Sequence, residues 1–133
     1  MELDCRSRSA GQEPDTVLIV DDDEINRAIL ENIFSPFYAI EERENGKLGL
    51  EAALSQRDRL CAVLLDVVMP EMSGIEVLRA LAEDGFPSQI PVFLITAEAS
   101  GDTMKEAYQL GVMDVISKPV IPYVVERRVN SVV

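Results

Sequence analysis

Apolar runs typical of buried β-strands alternate along the chain with segments in which apolar residues recur at helical spacing. The strand pattern covers residues 16–20, 38–42, 62–65, 92–95 and 112–117, and the second of these runs is the weakest. The helical pattern covers residues 24–34, 46–55, a segment after residue 73, 101–110 and 122–133. The chain is therefore predicted to contain five strand–helix units.

Local signals support two of the predicted helices. Ile25, Ile29 and Ile33 recur every four residues after the first strand, which indicates an amphipathic helix. Ser73 and Glu76 have the spacing of a capping box, in which each side chain bonds the backbone N–H of the other residue. The alternation of strands and helices then predicts an α/β fold with a doubly wound parallel sheet.

Polar side chains stand where four of the predicted strands end. Asp21 and Asp22 follow the first strand, Asp66 the third, Thr96 the fourth and Lys118 the fifth. Ligands of such sheets bind beyond the carboxyl ends of the strands, so we expect these five side chains to converge. Converging carboxylates repel one another and need a cation, and Mg²⁺ is the best match for a site with only oxygen ligands.

Each of these residues also has a simpler explanation. Asp21 and Asp22 can belong to a helix cap, Thr96 can be a turn residue and Lys118 can lie on the surface. Asp66 is harder to explain in this way, because it directly follows a fully apolar strand. All of these explanations would have to hold together at the ends of separate strands, so a common site is the better hypothesis.

Composition narrows the possible chemistry. The 133 residues include 24 acidic and 12 basic ones, and a net charge of -12 disfavours nucleic acids and anionic membrane surfaces as partners. The chain has no histidine, which excludes Ser-His-Asp and Cys-His catalytic systems, histidine-ligated metals and phosphohistidine donation. Cys5 and Cys61 lack the spacing of a metal site, and no apolar run approaches the roughly 20 residues that span a bilayer. We expect a cytoplasmic protein.

The chain divides into two parts of different character. Residues 1–15 are polar and lack periodicity, and we expect a disordered leader there. Residues 16–133 are expected to form one domain. The last predicted helix runs to residue 133 without a stop signal, which suggests that this domain has been truncated from a longer protein.

The segments VLIVDDDEINR, LLDVVMPEMSGIEVL, FLITAEAS and VISKPV closely resemble the receiver domain of two-component response regulators, over about residues 15–133. The resemblance implies a flavodoxin-like, five-stranded parallel sheet of order 2-1-3-4-5 with five helices. It implies a signalling switch, not a turnover enzyme, that accepts a phosphoryl group from a histidine kinase or a histidine phosphotransfer protein. It also implies that an output domain or a partner protein receives the signal, and that homodimers can form through helix 4, strand 5 and helix 5.

The resemblance also assigns roles to the residues of the acidic site. Asp66 corresponds to the nucleophile that accepts the phosphoryl group. Asp22 and Asp66 correspond to side-chain ligands of Mg²⁺, and Asp21 acts mainly through a metal-bound water. The backbone carbonyl of Val68 corresponds to the remaining protein ligand.

Further positions of the family surround the phosphoryl group. Thr96 and Lys118 correspond to the residues that contact its oxygens, and they would meet its charge by hydrogen bonding and ion pairing. The small residue Ala97 leaves room for the group. Pro119 corresponds to the family's cis-proline, which aims Lys118 into the site.

The sequence departs from the usual family pattern at Val115, and two further positions bear on how long the phosphoryl group persists. Val115 stands where an aromatic residue is usual, so we expect a muted or different coupling between Asp66 and the face of helix 4, strand 5 and helix 5. Val68 and Glu98 border the path of the water that hydrolyses the phosphoryl group. Because Val68 cannot orient that water, we expect slow self-dephosphorylation.

Two other functions fit parts of the pattern. A receiver-like interaction module that works without phosphorylation would keep the shape alone, and the intact acidic set argues against it. A Mg²⁺-dependent phosphatase of the haloacid dehalogenase type also uses an aspartate nucleophile, which follows its first strand in an Asp-x-Asp motif. Here Asp23 is followed by Glu24, where that motif usually has threonine or valine, and the chain has no cap insertion to cover a substrate.

Overall fold

A computed structural model describes residues 14–97 and 100–133 of the chain. Most of the predicted leader (residues 1–13) and Glu98 therefore lie outside the described residues. The strands are β1 (Thr16–Val20), β2 (Ala39–Arg43), β3 (Leu60–Asp66), β4 (Val92–Thr96) and β5 (Asp114–Ser117). The helices are α1 (Glu24–Phe34), α2 (Gly46–Ser55), α3 (Gly74–Glu83), α4 (Gly101–Gln109) and α5 (Pro122–Asn130), with a short 3₁₀ turn at Phe86–Ser88.

The five strands form one parallel sheet in the order β2-β1-β3-β4-β5, which confirms the predicted fold. The register places Val20 of β1 opposite Leu65 of β3. Their successors Asp21 and Asp66 therefore reach the same edge of the sheet. The order of strands reverses direction between β1 and β3, and ligands of such sheets bind in the crevice at this point.

Both faces of the sheet are covered by helices, and strand residues alternate between the two resulting cores. One core includes Leu18, Val20, Val63, Leu65, Leu94, and residues of α2, α3 and α4 such as Ala52, Leu78 and Ala107. The other includes Val17, Ile19, Leu64, Phe93, Ile95, and residues of α1 and α5 such as Leu30, Phe34 and Val125. This arrangement explains why the central strands read as unbroken apolar runs.

Side chains at the helix starts fix where the chain turns away from the sheet. The Asp23 carboxylate caps α1 by accepting a hydrogen bond from the N–H of Ile25 at 2.9 Å. Ser73 and Glu76 form both hydrogen bonds of the predicted capping box, so this prediction is confirmed. Both caps follow strand ends that carry aspartates, and they therefore hold the loops around the acidic edge.

The buried face of α1 differs from the expected one. Leu30 and Phe34 are its buried residues, whereas the side chains of Ile25 and Ile29 are 70% and 37% exposed. A step of four residues advances about 40° beyond a full turn of an α-helix, so the row that starts at Ile25 turns around the helix and faces the core only at its end. Only its last member, Ile33, packs against the core as a partly buried residue.

Several predicted boundaries move by a few residues. The strand β3 begins at residue 60, before the predicted 62, and β5 begins at residue 114, after the predicted 112. Val112 is held by a turn at the end of α4, where its N–H donates to the carbonyl of Ala107 at 3.1 Å, after Gly111 with φ of 100°. The helix α5 ends at Asn130, before the predicted residue 133, and the N–H groups of Val132 and Val133 both donate to the carbonyl of Val129 in the turn that follows.

In the described part of the chain, no helix combines the length and the apolar character needed to cross a membrane.

Candidate functional site

Three carboxylates meet at the edge of the sheet where β1 and β3 end. Asp21, Asp22 and Asp66 each offer one oxygen, and these oxygens all lie within 4.8 Å of one another. Asp21 and Asp66 are buried, whereas Asp22 is exposed. The structure therefore brings together the three aspartates that the sequence indicated, with one carboxylate open to the approach of an ion or a substrate.

Lys118 supplies positive charge to this cluster. Its Nζ atom lies 3.3 Å from Oδ2 of Asp21 and 3.2 Å from Oδ1 of Asp66. Its backbone N–H donates to the carbonyl of Thr96 at 2.8 Å, which joins the end of β5 to the end of β4. The peptide bond between Lys118 and Pro119 is cis. Lys118 thus lies between two buried carboxylates, at the position that the sequence analysis gave it.

Burial and mutual repulsion decide the protonation of these groups. Burial, followed by the charge of Asp21, raises the pKa of Asp66 to about 6, although the charge of Lys118 opposes this shift. Burial lowers the pKa of Lys118, but the charges of Asp21 and Asp66 outweigh burial and leave that pKa above its usual value. Lys118 is therefore a permanent cation, and it offsets only part of the carboxylate charge.

The cluster has the donor set that a divalent cation requires. Oδ2 of Asp21 is buried, and its contact among the described residues is the ion pair with Lys118 at 3.3 Å. One lysine cannot neutralise three carboxylates, and a metal ion would supply the missing positive charge. Since all three donors are carboxylate oxygens, Mg²⁺ fits this site better than a metal that prefers nitrogen or sulfur.

Three hydrogen bonds hold Asp21, two of them through its backbone. Its N–H donates to the carbonyl of Arg43 in β2 at 3.2 Å, and its Oδ1 accepts from the N–H of Asp23 at 2.9 Å. Its carbonyl accepts from Nη1 of Arg27 at 2.7 Å. The sequence analysis did not identify Arg27 as a residue of this site. The one feature that could have indicated it is its position six residues after Asp21, on the helix that follows the acidic edge.

The loop after Asp66 is packed too closely for larger side chains at one position. A Cβ atom on Gly74 would lie 2.1 Å from the carbonyl oxygen of Asp66, and the N–H of Gly74 donates to the carbonyl of Val67 at 2.8 Å. Glu71 adopts a φ of 70°, which is unusual for a residue other than glycine. Val68 is 60% exposed, so its side chain borders the solvent beside the site.

Thr96, Ala97 and Val115 occupy the neighbouring strands. Thr96 is fully buried at the end of β4, and Ala97 is exposed directly after it. Val115 of β5 lies opposite Leu94 and is only 8% exposed, within the core that α4 helps to form. A small aliphatic side chain therefore fills the position where the sequence analysis noted a missing aromatic ring.

Comparison with known proteins agrees with this geometry. The family model of the response regulator receiver domain matches residues 17–130. The chain belongs to the response regulator receiver family. This receiver domain is 32% identical to the two-component response regulator ORR3 of Oryza sativa, over 88% of this chain and 89% of that protein.

Other curated relatives of the receiver domain are much longer. It is 36% identical to the response regulator PleD of Caulobacter vibrioides, over 86% of this chain and 25% of that protein. It is 34% identical to a probable cyclic di-GMP phosphodiesterase of Vibrio cholerae, over 87% of this chain and 26% of that protein. The chain spans about a quarter of the length of these two relatives.

Solved structures show the same fold. The receiver domain aligns with a chain of the CheX-CheY-BeF3-Mg+2 complex from Borrelia burgdorferi with a TM-score of 0.82 and 30% identity, covering 90% of this chain and 89% of that chain. It aligns with chemotaxis protein CheY4 of Vibrio cholerae with a TM-score of 0.80 and 26% identity, covering 90% and 99% of the two chains.

The raised pKa of Asp66 predicts a pH-dependent effect of Asp66→Asn on the metal-free protein. The pKa is about 6 in the folded chain and 3.8 for a free side chain, so wild-type stability falls as Asp66 ionises across this interval. Asp66→Asn removes that loss, and its advantage in unfolding free energy should be about 2 kcal/mol larger near pH 7 than near pH 4. Urea unfolding in EDTA, followed by circular dichroism, measures it.

A matched variant controls for the change in net charge. Asp102→Asn removes an exposed carboxylate in the first turn of α4. The effect of Asp102→Asn on the unfolding free energy should not increase between acid and neutral pH, as the effect of Asp66→Asn does. A constant difference between Asp66→Asn and wild type across this range would contradict the raised pKa.

Proposed function

We propose that this receiver domain is a phosphorylation-dependent signalling switch in which Asp66 accepts the phosphoryl group. The observation that carries the proposal is the position of Asp66 at the end of a buried strand, with Nζ of Lys118 at 3.2 Å and two further carboxylates within 4.8 Å. A nucleophilic carboxylate, a fixed cation and an oxygen-only metal site are the parts that phosphoryl transfer needs. Family membership supports the same assignment.

The reaction joins a carboxylate oxygen of Asp66 to phosphorus and breaks the bond between phosphorus and the donor. With a phosphohistidine donor the bond that breaks is P–N, and the imidazole leaves with the electron pair and takes up a proton. Asp66 must be ionised to attack, so its pKa of about 6 leaves the nucleophile competent at neutral pH. Lys118, already 3.2 Å from the nucleophile, meets the charge on the transferred oxygens.

The remaining site residues surround the transferred group. Mg²⁺, held by Asp21, Asp22, Asp66 and the backbone carbonyl of Val68, would neutralise charge on the phosphoryl oxygens. The hydroxyl of Thr96 would donate to another of these oxygens, and Ala97 would leave space for them. The place of Thr96 at the end of β4, where its carbonyl accepts from the N–H of Lys118, and the small size of Ala97 support these roles.

The proposed donor is a histidine kinase or a histidine phosphotransfer protein in the cytoplasm. Since this chain contains no histidine, the donor must be a separate group. The signal would pass to an output domain or to a partner protein. PleD and the phosphodiesterase relative are much longer than this domain, which supports an output domain in the same chain. Homodimerisation through α4, β5 and α5 is part of the same proposal, whereas the net charge of -12 argues against nucleic acids and membranes as direct partners.

The alternatives predict different chemistry. A module that works by shape alone would not need two buried carboxylates with a lysine between them. A Mg²⁺-dependent phosphatase would turn over free phosphate esters. The proposed domain instead forms one aspartyl phosphate and loses it by hydrolysis, without turnover of such substrates.

The acceptor is tested by incubation with acetyl phosphate and Mg²⁺, followed by intact mass measurement. We expect one added phosphoryl group on wild type, and none on Asp66→Ala or in the presence of EDTA. Asp102→Ala, which removes an exposed carboxylate on α4, should still be phosphorylated. No adduct with any donor, together with no Mg²⁺ binding, would favour the module that works by shape alone.

The valine at residue 115 predicts a small response of the α4–β5–α5 face. On addition of beryllofluoride and Mg²⁺, amide NMR shifts should be large around Asp66 and small in α4, β5 and α5, because Val115 has no ring to turn toward Thr96. The variant Val115→Tyr should enlarge the response of that face if the larger ring is accommodated. Shifts in the wild-type face as large as those around Asp66 would contradict the prediction.

The side chain of Val68 predicts a slow loss of the phosphoryl group. Val68 is exposed beside the site but has no polar atom with which to orient a water. Val68→Asn should therefore raise the dephosphorylation rate about threefold to tenfold, the scale of positioning a water without adding a new base. The rate is measured by release of inorganic phosphate, with Val68→Ala as the control. A wild-type half-life of seconds would overturn this explanation.

A further inference from the structure

One arginine connects the acidic edge to two other elements. Arg27 lies in α1, its Nη1 donates to the carbonyl of Asp21 at 2.7 Å, and its Nε donates to Oε1 of Glu42 in β2 at 3.3 Å. Its side chain is only 15% exposed. A half-buried guanidinium with two directed hydrogen bonds is fixed in place, because its planar donors set the direction of both contacts.

The hydrogen bond from Arg27 is made to a residue that is almost completely buried. Asp21 is 1% exposed, so its carbonyl would remain buried if Arg27 were shortened, and a buried acceptor that loses its donor is destabilised. The carbonyl and the side chain of Asp21 share one Cα atom. A shift of this carbonyl toward another donor would therefore move the carboxylate that faces Asp66 and Lys118.

Asp21 is held through both its side chain and its backbone. Its Oδ1 accepts from the N–H of Asp23 at 2.9 Å, and its Oδ2 lies 3.3 Å from Nζ of Lys118. The other two of these four contacts are made by its backbone, to Arg43 and to Arg27. The guanidinium also brings a second positive charge close to a cluster whose carboxylates repel one another.

We propose that Arg27 is a positioning residue for the metal site, which sets the carboxylate of Asp21 through the backbone carbonyl. The inference rests on the proposed function, because it takes the three aspartates to be the site of Mg²⁺. Groups that orient a metal ligand without touching the metal change affinity by about tenfold or more when they are removed. Arg27 is therefore expected to govern how tightly the acidic cluster binds a divalent cation.

The competing explanation is that Arg27 only fastens α1 to the sheet. A pocket of about 280 Å³, lined by Arg27, Glu42, Arg43, Glu44 and Leu48, allows the two explanations to be separated. Because Arg27 already lines this open pocket, a shorter side chain leaves no closed void, and the loss of its hydrogen bonds can be measured without a packing defect.

The experiment measures Mn²⁺ affinity by electron paramagnetic resonance of the free ion, with Mn²⁺ as the probe for the proposed Mg²⁺ site. The variants are Arg27→Gln, Arg27→Lys and Glu42→Gln, and urea unfolding in EDTA gives the stability of each. Val129→Ala, in a buried position at the far end of α5, serves as a destabilised control outside the site. We expect Arg27→Gln to weaken Mn²⁺ binding about tenfold, and Arg27→Lys to weaken it as well, because lysine lacks the planar donors of arginine. Glu42→Gln and Val129→Ala should stay within about threefold of wild type.

Each other result identifies which proposal fails. Unchanged affinity in Arg27→Gln, or equal weakening in Val129→Ala, would overturn the positioning role and leave the proposed function intact. If Arg27→Gln does not fold, Arg27→Lys decides: weaker Mn²⁺ binding at near wild-type stability supports the role, and unchanged Mn²⁺ affinity overturns it. A wild-type protein that binds no Mn²⁺ would overturn both proposals.

Discussion

Repulsion among carboxylates at one end of a parallel sheet is the constraint on which this structure depends. The register of β1 and β3 brings Asp21 and Asp66 to the same edge, and burial removes most of the water that would screen them. Lys118 offsets part of this charge through two contacts. Three contacts fix the backbone around this edge and keep the carboxylates together despite their mutual repulsion. They are the cap of α1, the close approach of Gly74 to Asp66 and the hydrogen bond from Arg27 to Asp21.

The sequence predicted the parts of this arrangement that depend on local pattern. Buried strands read as apolar runs, and a polar residue that ends such a run must lie at the carboxyl edge, so Asp21, Asp66 and Lys118 could be placed together before any coordinates were known. The buried face of α1 could not be predicted from Ile25 and Ile29, because their exposure depends on how the helix is rotated over the sheet. The role of Arg27 depends on how closely α1 approaches β1 and β2. The spacing of apolar residues along the sequence carries no information about that distance.

The site and the core are linked through the two strands farthest along the sheet. Thr96 and Lys118 end β4 and β5, and the N–H of Lys118 donates to the carbonyl of Thr96. Two residues before Thr96, Leu94 lies opposite Val115 in the core that α4 helps to form. A displacement of the ends of β4 and β5 would reach this pair, and close-packed aliphatic side chains transmit small displacements.

The cluster of charged residues at the edge of the sheet is difficult to explain as a contribution to the stability of the fold. A pKa of about 6 for Asp66 means that the folded state disfavours the ionised form of this residue relative to the unfolded chain. Replacing a buried charged cluster by apolar residues of similar size is often neutral or stabilising, so a domain that needed only its shape would gain by losing the cluster. The buried carboxylates of Asp21 and Asp66, with Lys118 between them, are therefore better explained by chemistry at the edge of the sheet than by the needs of the fold.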